Sequence, residues 1–154
     1  MTKAVLDSNI LMDMLNGVTE ALTEISYYPE SYISSITWSE VMVGCILADL
    51  AKPPTAADPI GQAALFPTVL AGARIHVAQT DPVIMFKAAQ IRAAGLGMKP
   101  QRKVKLTDAI IGATAPALSL MVVTRNPRDF GANIVRIPYQ IDGGGNVVNV
   151  LAPP

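Results

Sequence analysis

The sequence predicts an α/β domain built on a mainly parallel sheet. Three observations carry that prediction. Short apolar runs with β-branched character recur at 3–7, 31–35, 73–78, 120–124 and 133–138. The segments between them space their apolar residues at helical intervals and are bounded by capping and stop residues. The composition, 51% apolar and 16% charged, suits a packed core and argues against disorder. Alternation of this kind is the signature of helices laid on a parallel sheet. At 154 residues the chain fits one domain over 1–154, with a core at 3–138 and a C-terminal extension at 139–154.

The elements follow in order. KAVLD (3–7) is a buried strand that ends on an acid. SNILMDML (8–15) places Ile10, Leu11, Met14 and Leu15 on one helical face, with Ser8 available as a cap and Gly17 as a stop. Residues 19–26 form a second short helix, and SYISS (31–35) a second strand. A long helix runs from Thr37 to about Leu50 and ends at the Pro-rich break KPPTAADP (52–59). GQAALFPTVLAG (61–72) reads as a helix in spite of Pro67, and ARIHVA (73–78) as a third strand.

DPVIMFKAAQIRAAG (81–95) has Asp81 as N-cap, Pro82 in the first turn and Gly95 as stop. GLGMKPQRKVK (95–105) is a basic loop. LTDAIIGATAPALS (106–119) is a helix in which Pro116 is expected to make a kink that bends it away from the acidic residues. LMVVT (120–124) is a buried strand, RNPRDFGA (125–132) a loop and NIVRIP (133–138) the last core strand. DGGGNVVNVLAPP (142–154) gives a flexible turn and one further strand.

Residue counts exclude much chemistry. One cysteine, Cys45, allows no internal disulfide and no Cys-based zinc site, and it sits in an apolar stretch as a small core residue. One histidine, His76, rules out a two-histidine acid–base mechanism within a single chain and most zinc catalytic sites. No G-x-S-x-G elbow accompanies it, and His76 reads as a strand residue. The longest apolar stretch, Ala109–Val123, contains Pro116 and falls short of the roughly 20 residues that span a bilayer. Lys3 is followed only by AVL before Asp7, too little for a signal-peptide core. A soluble cytoplasmic protein without a membrane partner is the expectation. Oxygen chemistry remains: carboxylates, amides and hydroxyls.

In parallel sheets, ligands bind beyond the carboxyl ends of the strands, so acids that end elements matter. Asp7 follows the first strand directly and Asn9 stands two residues on; a plain helix N-cap is the competing role. Glu40 lies one turn into its helix, where a T-x-x-E capping box with Thr37 would also explain it. Asp108 is the only charged residue from Leu106 through Val123. An unpaired carboxylate in such a segment costs several kcal/mol, so it needs a partner, either the helix dipole or a cation. Asp129 follows the strand LMVV, with an ion pair to Arg125 or Arg128 as its competing role. Carboxylates that converge repel unless a cation neutralises them, and a hard divalent cation suits an all-oxygen site. Such a site can hydrolyse a phosphodiester without histidine.

The segments VLDSNILMDML (5–15), SSITWSEVMVG (34–44) and LTDAIIGATAPALSLMVVTRNPRDF (106–130), with NIVRIP behind, resemble PIN-domain proteins, specifically the VapC-type toxins of type II toxin–antitoxin pairs. The resemblance covers about 3–138 in order and spacing; 50–100 adds only a generic helical pattern. It implies a PIN-like three-layer α/β/α sandwich and a Mg²⁺- or Mn²⁺-dependent endoribonuclease. It makes Asp7 and Asp108 the principal metal ligands, with Glu40 beside them and Asn9 in support. The fourth acid stands in some members at the position of Asn126 and in others three residues later. Asp129 is assigned here, with Asn126 and Thr124 as polar support. It further implies an RNA substrate, a homodimer, and a small VapB-like antitoxin that lays a helix in an apolar groove. The helix face around Met12 and Met14 is either that groove or core, and core is the preferred reading. Two competing functions stand beside the nuclease: a metal-binding PIN-like module that binds RNA or regulates with little nuclease activity, and a purely structural carboxylate cluster in an unrelated α/β domain.

The formal net charge of zero hides a division. Residues 1–81 carry three basic residues against nine acids, a charge of −6, and residues 82–154 carry nine against three, +6. Lys87, Arg92, Lys99, Arg102, Lys103 and Lys105 precede Asp108, and Arg125 and Arg128 flank the last motif. Of these, Lys99, Arg102, Lys103, Lys105, Arg125 and Arg128 are candidate RNA-phosphate contacts, against the alternative of a merely solvated surface.

Overall fold

The structure, a computed structural model, describes residues 2–154. Its order is β1 (Ala4–Leu6), α1 (Ser8–Leu15), α2 (Thr19–Tyr27), β2 (Ser31–Ser34), α3 (Ser35–Ala51), α4 (Gln62–Gly72), β3 (Ile75–Ala78), α5 (Pro82–Leu96), α6 (Leu106–Ala117), β4 (Met121–Val123) and β5 (Val135–Arg136). A small antiparallel hairpin follows, β6 (Gln140–Ile141) and β7 (Val147–Val148). The five core strands form one parallel sheet in the order β3-β2-β1-β4-β5.

The period of two along each strand sends alternate side chains to opposite faces, and this builds three layers. Ala4, Leu6, Ile33, Ile75 and Val123 face the core formed with α1 to α4. Val5, Tyr32, Val122 and Val135 face the other way, onto Ile111 and Ala115 of α6 and onto Phe130. Helix α5 covers α6 through Ile84 and Ala88 against Ala109, Ile110 and Ala113. The result is the three-layer α/β/α sandwich the sequence predicts. Burying a residue such as Ile111, fully enclosed here, stabilises by roughly 1.5–3 kcal/mol.

Three local readings change. Asp7, not Ser8, caps α1, because its Oδ1 accepts the Ser8 N–H at 2.7 Å. Helix α3 begins at Ser35, ahead of Thr37, because the buried Ser34 hydroxyl accepts the Thr37 N–H at 3.1 Å and takes the cap itself. No capping box therefore ties Glu40 to Thr37. Pro116 sits in the last turn of α6, at the end opposite Asp108, so it does not bend the helix away from the acids.

Beyond Pro138 the chain folds back on the domain. Tyr139 is fully buried, and Ile141 and Val147 pack against the same core as α1 and α2. The turn between β6 and β7 uses Gly145 at φ +83°, a conformation open to glycine. Among the described residues, no helix is long and apolar enough to cross a membrane.

Candidate active site

Register sets the geometry. Leu6 pairs with Val123, so the next residue on each strand, Asp7 and Thr124, leaves the sheet at the same carboxyl edge. The Asp7 N–H donates to the Val123 carbonyl at 3.0 Å and fixes that alignment. Thr124 Oγ1 then donates to Asp7 Oδ2 at 2.6 Å, and Asn9 Nδ2 donates to the same oxygen at 2.8 Å. Asn9 Nδ2 also lies 3.2 Å from Thr124 Oγ1, which in addition accepts the Asn126 N–H at 2.9 Å. Asn126 thus contributes its backbone, while its side chain is exposed. Asp7 is only 4% exposed. Burial pushes its carboxyl above the ordinary value, and the donors from Thr124, Ser8 and Asn9 oppose that push.

Asp108 stands on the first turn of α6, half-buried. Its carboxyl is pushed up to about 6, first by burial, then by the charges of Asp7 and Asp129 and by a hydrogen bond shared with Asp129; Lys105 acts the other way. Asp129 ends a 3-10 turn, Pro127–Asp129, that follows β4. Its ion-pair partner is Arg102 of the basic loop, at 2.6 Å, and not Arg125 or Arg128. Arg125 reaches instead to Asp13 of α1, at 2.6 Å, and Arg128 is exposed.

Glu40, exposed on α3, accepts a hydrogen bond from Thr107 Oγ1, and Thr107 is the neighbour of Asp108. This contact ties α3 to the start of α6. Lys99, Lys103 and Lys105 are exposed on the loop before α6. His76 is exposed on the edge strand β3 and lies 3.3 Å from Glu30, so it takes no part in this arrangement.

Asp108 thus senses the charges of both Asp7 and Asp129, while Glu40 contacts Thr107, the neighbour of Asp108 in the chain. Among the described residues, no three His, Cys, Asp or Glu side chains close into a ready-made metal cage. The donor chemistry of the carboxylates fits a hard divalent cation, and Mg²⁺ typically needs only one or two carboxylates and keeps several waters. Burial and the neighbouring acids outweigh Lys105 at Asp108, while Arg102 offsets the charge of Asp129.

Sequence reasoning missed Thr107 and the Arg102–Asp129 pair. A threonine beside Asp108 at a helix start was the only signal for the first, and nothing local marked the second.

A separate groove lies away from the acids, between α1, α2, α3 and α4. It has a volume of about 1160 Å³ and an apolar lining that includes Met12, Leu22, Val41, Ile60, Leu65 and Val69. Both methionines line this groove, Met12 at 38% exposure and Met14, which is also part of the core, at 6%.

A family model described as PIN domain matches residues 4–132. Among solved structures, a chain of a toxin–antitoxin complex from Klebsiella pneumoniae is 31% identical with a TM-score of 0.67, covering 90% of this chain and 99% of that one. A chain of DNA-bound VapBC from Salmonella typhimurium is 27% identical with a TM-score of 0.66, covering 88% and 98%. A chain of FitAcB from Neisseria gonorrhoeae, 22% identical with a TM-score of 0.61 and covering 88% and 97%, shares the fold. None of the curated proteins matches the chain.

Proposed function

This chain belongs to the PIN domain family, and from that premise we propose that it is the toxin of a VapC-type toxin–antitoxin pair, an endoribonuclease that uses Mg²⁺ or Mn²⁺. The observation that supports this reading is Asp7 at the carboxyl edge of β1, together with an Asp108 carboxyl pushed up to about 6 by burial and by the charges of Asp7 and Asp129. The likeness to chains of toxin–antitoxin complexes supports the biological setting.

A divalent cation bound at such a site supplies Lewis acidity to a phosphoryl oxygen and lowers the pKa of its water. Asp7 and Asp108 are its principal ligands in this reading, and Glu40 and Asp129 complete the acidic set. Thr124 and Asn9 orient Asp7 by donating to Oδ2, which leaves Oδ1 facing only the donors of Ser8. Thr107 orients Glu40. Phosphate contacts fall to the exposed Lys99, Lys103, Lys105 and Arg128. Arg102 and Arg125, candidates on sequence, are engaged with Asp129 and Asp13.

The groove between α1 and α4 fits an amphipathic helix of a VapB-like antitoxin. The outer face of α5, with Val83 and Phe86 at 75% and 67% exposure, is the surface a second copy would cover in a homodimer. A second reading, a PIN-like module that binds RNA with little cleavage, draws on the Arg102–Asp129 pair, which ties up one acid.

Incubation of the purified protein with RNA, in Mg²⁺ or Mn²⁺ against EDTA, tests both. Metal-dependent cleavage is expected. RNA binding without cleavage in either metal would favour the second reading.

A further inference from the structure

Asn9 and Asp13 stand four residues apart on α1 and so share one face of that helix. Both grip the same residue. Asn9 Oδ1 accepts the backbone N–H of Arg125 at 3.2 Å. Asp13 takes the guanidinium of Arg125, from Nε at 2.6 Å and from Nη2 at 3.3 Å. A third group closes the set: the buried Tyr139 hydroxyl donates to Asp13 Oδ2 at 2.8 Å. Asp13 is only 6% exposed, so its charge is held inside the fold by these two partners.

The grip on Arg125 has a chemical consequence at Asp7. A backbone N–H can only donate, so the Asn9 atom that meets Arg125 must be its oxygen. The Asn9 amide nitrogen then points to Asp7 Oδ2, at 2.8 Å. Were the Arg125 peptide free to move, the amide could turn and set its oxygen against the Asp7 carboxylate.

We propose that Arg125, clamped by Asp13 and Tyr139, is a positioning residue for the metal site and not a phosphate contact. The Asp13–Arg125–Tyr139 set fixes one peptide, that peptide fixes the Asn9 amide, and the amide fixes Asp7. The inference rests on the reading of Asp7 as a metal ligand. Residues that orient metal ligands from behind typically change metal affinity by about 10–100-fold when altered.

The test compares the wild type with two variants. The double variant Asp13→Asn, Arg125→Gln removes both charges together and leaves no lone buried ion. Tyr139→Phe keeps the ring and removes only the hydroxyl. Each is titrated with Mn²⁺ while melting temperature is followed. Each is also tested for binding to a labelled single-stranded RNA of mixed sequence, in EDTA, across a salt series. The double variant is expected to need about tenfold more Mn²⁺ for half the stabilisation. Tyr139→Phe is expected to need roughly two- to threefold more, and it keeps the test open if the double variant does not fold. RNA affinity and its salt slope should stay at wild-type values in both. An unchanged Mn²⁺ midpoint in a folded variant overturns the proposal. So does a salt slope lowered by about one contact in the double variant, the mark of a lost phosphate contact. A wild type that Mn²⁺ does not stabilise overturns the metal-site reading itself, and this proposal with it; a wild-type response that both variants retain overturns this proposal alone.

Discussion

Two guanidinium nitrogens of Arg102, Nε and Nη2, converge on a single oxygen of Asp129, at 3.0 and 2.6 Å. The pair is largely shielded, with side-chain exposures of 27% and 16%, and it neutralises an acid whose charge helps raise the Asp108 carboxyl. Arg102→Ala should lower stability by about 1–2 kcal/mol at pH 8. The loss should shrink toward pH 5, because protonation of Asp108 relieves the repulsion that Arg102 no longer offsets. Urea unfolding at the two pH values checks this; an equal loss at both would mean that the contact matters for packing and not for charge.

The raised carboxyl of Asp108 gives a pH dependence of its own. Its folded value of about 6 lies above the ordinary 3.8, so between those values the folded state binds more proton than the unfolded state. Stability should therefore fall as pH rises from about 4 to about 6 and level off above. Asp108 is only half-buried, so the contribution is about 1 kcal/mol after solvent screening. In EDTA, Asp108→Asn should raise the urea midpoint at pH 7 and flatten this part of the profile. A variant no more stable than the wild type at pH 7 would refute the prediction.

Cleavage should depend on the acids in a graded way. Asp7→Asn keeps an oxygen for the helix cap while its amide nitrogen meets the Thr124 and Asn9 donors, and Asp108→Asn removes a repulsive charge, so melting curves of both variants accompany the assay. Each should lower Mg²⁺-dependent RNA cleavage by more than about 100-fold. Glu40→Gln can still accept from Thr107 and should cost less. Gel assays of product formation decide; full activity in either aspartate variant would sink the assignment.

A second buried ion pair lies away from the site. Glu24, 2% exposed, accepts from Arg136 Nε at 2.6 Å, Arg136 Nη2 at 2.9 Å and Tyr28 OH at 2.7 Å. Arg136→Met would leave that carboxylate with Tyr28 alone and should cost about 3–5 kcal/mol. Adding Glu24→Leu should recover part of the loss. Denaturation of the single and double variants measures it, and a double variant less stable than the single would count against an unpaired charge as the cause.

The sequence makes the strands and the edge acids legible because both follow local rules: a period of two, a run length, and the place of an acid at a strand's end. It does not settle the cap of α3. Ser34 and Thr37 offer the same chemistry three residues apart, and only tertiary burial chooses Ser34. Nor does it reveal that Asp129 pairs with Arg102, since Arg125 and Arg128 are nearer in the chain while Arg102 is 27 residues away. Asp13 looks like a solvent-facing residue of an amphipathic helix until Arg125 and Tyr139 arrive from far along the chain. The division of charge into −6 and +6 also gains a structural meaning. Arg125 and Arg136 cross from the basic half to bury Asp13 and Glu24 of the acidic half, so part of the cancellation is internal neutralisation.

Asp13 is separated from Arg125 by 112 positions and from Tyr139 by 126. During synthesis the ribosome makes α1 early and both partners late. Until residue 139 has cleared the exit tunnel, Asp13 has no complete set of partners, and α1 gains nothing by burying that face. The peptide that aims Asn9 at Asp7 is then not yet clamped. A nascent chain of this protein thus carries Asp7 and Asn9 long before the peptide that aims one at the other is clamped.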